Sequence, residues 1–334
     1  MSTTIQESDC IRSAPPLHGY VAVSLEVVAA MTPCGFDVFF SDGNSRPKLY
    51  RARNSALTIA DAVVARHAGT HWFYIKANNR AAYQAQLLAR LETIIQDDAV
   101  PMTERLVVLR NVVDIQLRLA VQRIQIDATV EASSQAGRYL AQLIVQDSLL
   151  PTELIAIARH SNDTFSHVLS TSAYAIYLAI GIGFREPAVL RDIAVATMLH
   201  DVGKRFLPER LINSAARLTR EDRRLIAEHP QKGYEELHGR PDVSFEQLMV
   251  VYQHHERIDG SGYPVGITGA EIHPWARLCA IVDVFEALTG KRSYRMPMTV
   301  PQALIELDTM AGTRMDADMV QCWKSLVGCA CEAL

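Results

Sequence analysis

Between residues 163 and 283 the chain gathers residues able to hold metal: Asp163 and His167, His200 and Asp201, His229, His254 and His255, and Asp283. Imidazole and carboxylate together form the ligand set of Zn, Fe or Mn. Several of these groups follow apolar stretches directly. Met198-Leu199 precedes His200, Met249–Tyr252 precedes His254, and Leu278–Val282 precedes Asp283. Burial opposes charge at each position unless a cation compensates it. A lone histidine on an apolar helix is ordinarily a core residue with a local hydrogen bond. Five histidines and three aspartates in such surroundings fit a polynuclear metal site better.

The spacings refine this reading. Asp163 and His167 stand four apart, so both project from one face of a helix. His200 and Asp201 are adjacent and cannot reach the same spot, but they can ligate different sides of a metal cluster, with the Asp201 carboxylate bridging two ions. Lys204, in HDVGK at 200–204, lies one turn after His200 and points toward the same site. In HHERIDGSGYP, residues 254–264, two glycines, a tyrosine and a proline follow two candidate ligands. This predicts a tight loop whose backbone can approach a ligand closely, with Tyr263 offering a ring face and a hydroxyl. Alone, DGSGYP also suits a surface turn.

These residues need a scaffold, and the chain of 334 residues is long enough for two domains. With 49% hydrophobic and 21% charged residues it reads as an ordinary globular protein. A formal charge of −4 argues against a surface built for a nucleic acid polymer. Six cysteines without a CxxC pair read as reduced thiols. The start lacks a secretory signal pattern, and the most apolar window, around Tyr174–Phe184, is too short for the roughly 20 residues of a membrane span. The expected location is the cytoplasm.

Residues 1–17 are expected to form a flexible tail. Strand-like pieces at Tyr20–Leu25, Phe36–Phe40 and His71–Lys76, with a helical pattern at Leu57–His67, predict a small α+β regulatory domain over 18–77. Beyond Ala81 strand signals nearly vanish. Tyr83–Ile95 and Glu104–Ile126 have helical periodicity, so 78–145 reads as connecting helices and 146–334 as an all-helical domain. The Glu104–Ile126 pattern is apolar on more than one face, which suits a core helix or one that forms a homodimer. The fold class expected is mainly α.

HDVGK, the His229-Pro230 pair, HHERIDGSGYP and DVFEALTGKRSYR at Asp283–Arg295 occur in that order. Together they resemble the HD-GYP family of cyclic di-GMP phosphodiesterases, over roughly residues 150–310. The resemblance implies an all-helical HD-type domain, two or three divalent ions (iron or manganese), and hydrolysis of cyclic di-GMP to pGpG and often GMP. It implies His167, His200, Asp201, His229, His254, His255 and Asp283 as ligands. Some members carry a glutamate at the position of Asp163 that helps bind a third ion, so the shorter aspartate leaves two or three ions open. Lys204, Asp259, Gly262, Tyr263, Pro264, Arg292 and Arg295 fall where the family meets its substrate.

Phosphodiester hydrolysis needs a nucleophile at neutral pH and relief of charge growing on phosphorus. Two ions about 3.5–4 Å apart supply both, through a bridging hydroxide and a clamp on phosphate oxygens. Asp201 and Lys204 are the expected catalytic pair, the lysine offsetting phosphate charge or protonating the leaving oxygen. Arg292 and Arg295, three apart at an expected helix end, suit the second phosphate through arginine's fork geometry. Two other readings compete: a cyclic-dinucleotide receptor with little turnover that signals through the connecting helices, and a broader HD-type nucleotide phosphohydrolase. The latter leaves DGSGYP and the two arginines without a purpose.

Overall fold

The computed structural model describes residues 17–23, 25–41, 47–58, 60–61, 64–65, 73–102, 104–106, 108–110, 112–113, 126–146, 164–212, 219–290 and 296–331. The expected tail apart from residue 17, most of the second half of the Glu104–Ile126 pattern, and Asp163, Arg292 and Arg295 lie outside the described residues. The chain divides into two compact units, Met1–Ile115 and Gln116–Leu334.

The first unit is α+β. Its strands β1 (Tyr20–Val23), β2 (Val38–Phe40), β3 (Lys48–Arg51) and β4 (Phe73–Lys76) form an antiparallel sheet in the order β1-β4-β2-β3. The register runs from Tyr20↔Lys76 to Val23↔Phe73, and pairs Phe39 with Tyr74. Phe73, Tyr74 and Ile75 are all buried, as an interior strand covered on both faces requires. The sequence does not signal β3. Lys48-Leu-Tyr-Arg51 has charged ends and sits at the sheet edge, where a half-exposed strand needs no apolar run. The strand expected over Tyr20–Leu25 stops at Val23, and Leu25 opens the short helix α1 (Leu25–Ala30) that buries Leu25, Val27, Val28 and Ala29.

Helix α2 (Arg80–Gln96) buries Tyr83, Leu87, Leu91, Ile94 and Ile95, one apolar stripe at steps of four, four, three and one. The flank of that stripe is polar. The Gln86 amide donates to the carbonyls of Met31 and Pro33, both at 2.8 Å, and Arg90 donates to that of Thr32 at 3.0 Å. These bonds attach α2 to the turn after α1. The stretch expected as connecting helices is therefore shared: α2 belongs to the first unit, and α3 (Ile126–Gln146) to the second.

Among its described residues, the regular elements of the second unit are all helices. After α3 come α4 (Thr164–Gly181), α5 (Pro187–Leu199), α6 (Glu209–Ile212), α7 (Arg220–Ile226), α8 (His229–Leu237), α9 (Phe245–Gln253), α10 (Pro274–Thr289), α11 (Val300–Met310) and α12 (Ala317–Cys331). Among the described residues no helix is long and apolar enough to cross a membrane. Thr219 with Asp222, Ser244 with Gln247 and Thr299 with Gln302 form reciprocal capping boxes that start α7, α9 and α11.

Helix α5 is the central element. Every residue from Ile193 to Leu199 is buried, because α3, α4 and α9 pack around it. Val195, Leu199, Val130, Leu237, Val243, Leu248 and Val251 share one apolar cluster. A second core is aromatic, with Tyr174, Phe285 and Trp323 meeting at centroid distances of 5.1–5.5 Å from helices α4, α10 and α12. Burying α5 to its last residue carries His200 and Asp201 into the interior.

Directly after them a 3-10 turn, Val202–Phe206, packs backbone to backbone on the first turn of α8. A Cβ at Gly203 would stand 2.0 Å from the His229 carbonyl oxygen and 2.6 Å from the Gly233 nitrogen. Glycine is therefore required, and its close approach is what brings Asp201 beside His229. Gly203→Ala is expected to lower the stability of the chain by about 1–3 kcal/mol through overpacking, read as a shift in the urea unfolding midpoint at constant slope.

Candidate metal centre

The candidate ligands come from five helices, mostly from their ends. His167 is in the first turn of α4, His200 ends α5 with Asp201 next to it, and His229 starts α8. His254 ends α9 and is followed by His255, while Asp283 lies within α10. Two groups result, each with ligand atoms within 4.8 Å of one another: Asp201, His229, His254 and His255, and then His167, His200 and Asp283. The structure thus brings together all the described residues expected as ligands.

Local backbone geometry sets the imidazoles. His200 Nδ1 donates to the Thr197 carbonyl at 2.5 Å, His229 Nδ1 to that of Ile226 at 2.7 Å, and His254 Nδ1 to that of Val251 at 3.0 Å. Carbonyls only accept, so in each ring the proton resides on Nδ1 and Nε2 presents a lone pair. A histidine just past or just inside a helix end finds such a carbonyl one turn back without any further partner. His167 is held differently: its Nδ1 bonds the Glu286 carboxylate, and its Nε2 lies 3.3 Å from Asp283 Oδ1.

The Asp201 carboxylate stands between the groups. Oδ1 is 3.3 Å from His229 Nε2 and 3.8 Å from His254 Nε2; Oδ2 is 3.3 Å from His200 Nε2 and accepts from Lys204 Nζ at 2.5 Å. Three features fit a cation better than they fit hydrogen bonding. His200 Nε2 and Asp201 Oδ1 are buried with no hydrogen-bond partner among the described residues. His229 Nε2 and His254 Nε2 face each other at 3.1 Å although both carry lone pairs. Two imidazole nitrogens turned toward each other this closely would suit ligands that share one cation. His167, with a carboxylate on its other ring nitrogen, has the arrangement common for a metal-bound imidazole.

Charge distribution agrees. Burial opposes ionisation of Asp201, yet the neighbouring His200 and the Lys204 ammonium outweigh it and hold the carboxyl well below the usual range. Asp283 is likewise held low against burial by His167 and His200. Burial lowers His254 far below the ordinary histidine value and His255 to about 3, keeping both neutral and able to ligate. His167 goes the other way: burial opposes its charge, but Glu286 and Asp283 raise it to about 9.

Lys204 is half exposed at the rim of this cluster. The Tyr263 ring lies 4.7 Å from that of His255 and 6.5 Å from that of His229. Its hydroxyl is pushed up by burial and by the Asp201 and Asp283 charges. Pro264 follows it, half buried. Asp259 and Gly262 shape the loop: exposed Asp259 accepts from the Ser261 amide at 2.9 Å, and a Cβ at Gly262 would stand 2.4 Å from the Arg257 nitrogen. Helix α10 ends at Thr289, before Arg292 and Arg295. Glu286 was not foreseen from the sequence. Its signal was there, three residues after Asp283 and flanked by Phe285 and Ala287, a carboxylate on the ligand face of a largely apolar helix.

Residues 118–319 match the family described as HD domain. Among curated proteins, the chain is 32% identical over 176 residues to the cyclic di-GMP phosphodiesterase PA4108 of Pseudomonas aeruginosa, covering 53% of this chain and 42% of that protein. It is 36% identical over 163 residues to the cyclic di-GMP phosphodiesterase response regulator RpfG of Xanthomonas campestris, covering 48% and 43%. The 3'3'-cGAMP-specific phosphodiesterase 2 of Vibrio cholerae is 33% identical over 173 residues, covering 50% and 32%. The chain thus spans less than half the length of these relatives. A solved structure, Bd1817, a HDG"Y"P protein from Bdellovibrio bacteriovorus, has the same fold at a TM-score of 0.65 and 17% identity, covering 92% of this chain and 99% of that one. With the HDVGK and HHERIDGSGYP motifs joined at one cluster, the chain belongs to the HD domain family, in its HD-GYP branch.

Proposed function

We propose that this chain is a metal-dependent phosphodiesterase that hydrolyses cyclic di-GMP to the linear dinucleotide pGpG. The observation that carries the reading is the Asp201 carboxylate, one oxygen toward His229 and His254 and the other toward His200 and Lys204. The names of the curated relatives support the substrate class, cyclic dinucleotides.

Under this reading His229, His254, His255 and Asp201 hold one divalent ion, and His167, His200 and Asp283 a second, with Asp201 shared. Asp163 decides whether a third is held. Iron or manganese suits this mixed imidazole and carboxylate set. Bound ions supply an activated water nucleophile and Lewis-acid relief of charge on the phosphate.

The protein's own groups do the rest. The short Nδ1 bonds to helix carbonyls keep the Nε2 atoms aimed inward, so no reorganisation is needed when ligands are engaged. Lys204, paired with Asp201 but half exposed, offers its ammonium to a phosphate oxygen or to the departing ribose oxygen. Tyr263 gives the substrate a flat face beside His255. Arg292 and Arg295 are proposed to grip the second phosphate.

Protein loaded with Mn²⁺ is expected to convert cyclic di-GMP to a linear product by chromatography; a fully metallated sample that forms none would overturn the reading and favour a receptor. Asp201→Ala should lose turnover together with bound metal, and retained metal with full turnover would remove Asp201 from the ligand set. Lys204→Ala should keep its metal while kcat drops about 10²–10³-fold, the usual cost of one electrostatic group. For Arg295→Ala the expected change is a KM about tenfold higher or more with metal content intact, as for a lost charge-assisted hydrogen bond.

A further inference from the structure

One buried carboxylate near the centre is in neither ligand group. Glu256 is 4% exposed, stands next to His255, and belongs to neither group of candidate ligands. Its partners are backbone amides across the loop. Glu256 Oε1 accepts from the Val265 amide at 2.8 Å and from the Gly266 amide at 3.1 Å, and Oε2 accepts from the Gly266 amide at 3.0 Å.

The loop is folded tightly around this residue. Gly260 and Gly266 adopt φ of +76° and +80°, which a glycine takes without strain. A Cβ at Gly262 would stand 2.5 Å from Glu256 Cα, so the chain passes directly over the glutamate's own backbone. The Tyr263 amide donates to the His255 carbonyl at 3.2 Å, and Tyr263 then lies with its ring beside that of His255. Tyr263 is thus fixed between a backbone bond to the ligand segment on one side and the two amides held by Glu256 on the other. Apolar packing does little of this work, since Val265 is 58% exposed.

We propose that Glu256 is a positioning residue that latches the 259–266 loop onto the ligand segment 254–255 and so sets Tyr263 at the mouth of the metal centre. Its effect on a cyclic dinucleotide rests on the function proposed above; the latch itself does not. A carboxylate suits the task because a charged acceptor bonds amides about twice as strongly as a neutral one. It also binds the loop without a side chain that enters the site.

The test compares wild type, Glu256→Ala and Glu256→Gln as full chains loaded with Mn²⁺. Amide hydrogen exchange of residues 259–266 should be about tenfold faster or more in Glu256→Ala, as for the loss of charge-assisted bonds in a locally opening segment. Exchange in α9 and α10, and metal per chain, should stay at wild-type values. Glu256→Gln keeps the Oε1 acceptor for both amides and should recover most of the protection. With cyclic di-GMP, Glu256→Ala should raise KM about tenfold while kcat stays within about threefold, the pattern of lost binding rather than lost chemistry. Wild-type exchange in the loop of both variants would overturn the latch. So would acceleration spread equally over α9 and α10, or metal loss with the loop still protected. A wild type that hydrolyses no cyclic dinucleotide would sink the functional reading, while the exchange data still judge the latch.

Discussion

The second unit is organised around a carboxylate that its surroundings cannot neutralise by hydrogen bonds alone. Asp201 follows a helix buried to its last residue and meets the imidazoles of His200, His229 and His254, each of which has already given its Nδ1 proton to a helix carbonyl. The inward nitrogens carry lone pairs, and a carboxylate brings only more. A pocket built of acceptors is stable when a cation fills it. Lys204 supplies one charge at the rim, against Oδ2.

The energetic scale supports this view. Each buried polar atom left unpaired costs about 1–3 kcal/mol, and His200 Nε2 and Asp201 Oδ1 are both in that state among the described residues. Against a total stability of about 5–15 kcal/mol for an ordinary domain, the sum is a sizeable share. The apolar cluster around α5 and the Tyr174, Phe285 and Trp323 core hold the ligands in place despite it. Cations that bind only the folded chain return that cost as stability. The same scaffold explains the glycines: Gly203 admits α8 to the Asp201 turn, and Gly262 lets the Tyr263 loop cross over the ligand segment.

Much of this was legible in the sequence because ligand chemistry leaves strong marks. Imidazoles after apolar runs, HDVGK and HHERIDGSGYP name the residues that the fold then collects from five helices. The helical periodicity of Tyr83–Ile95 likewise matches α2. What escaped was set by partners distant in the chain. Glu286 matters through His167, 119 residues earlier, and Glu256 through amides nine and ten residues on. Strand β3 exists because an edge accepted it, and a charged, half-exposed segment advertises nothing of that kind. Asp259 and Gly262, expected at the substrate, have contacts within their own loop. A motif records that residues belong together without saying which of them face the ligand.

The central claim is that the acceptor-lined pocket is a metal centre with Asp201 shared between ions. Anomalous diffraction from crystals of the Mn²⁺-loaded chain, collected at the manganese edge, tests it most directly. The account predicts one peak among Asp201, His229, His254 and His255 and another among His167, His200, Asp201 and Asp283. A map with no peak at these residues, or with manganese bound only elsewhere on the chain, would contradict it.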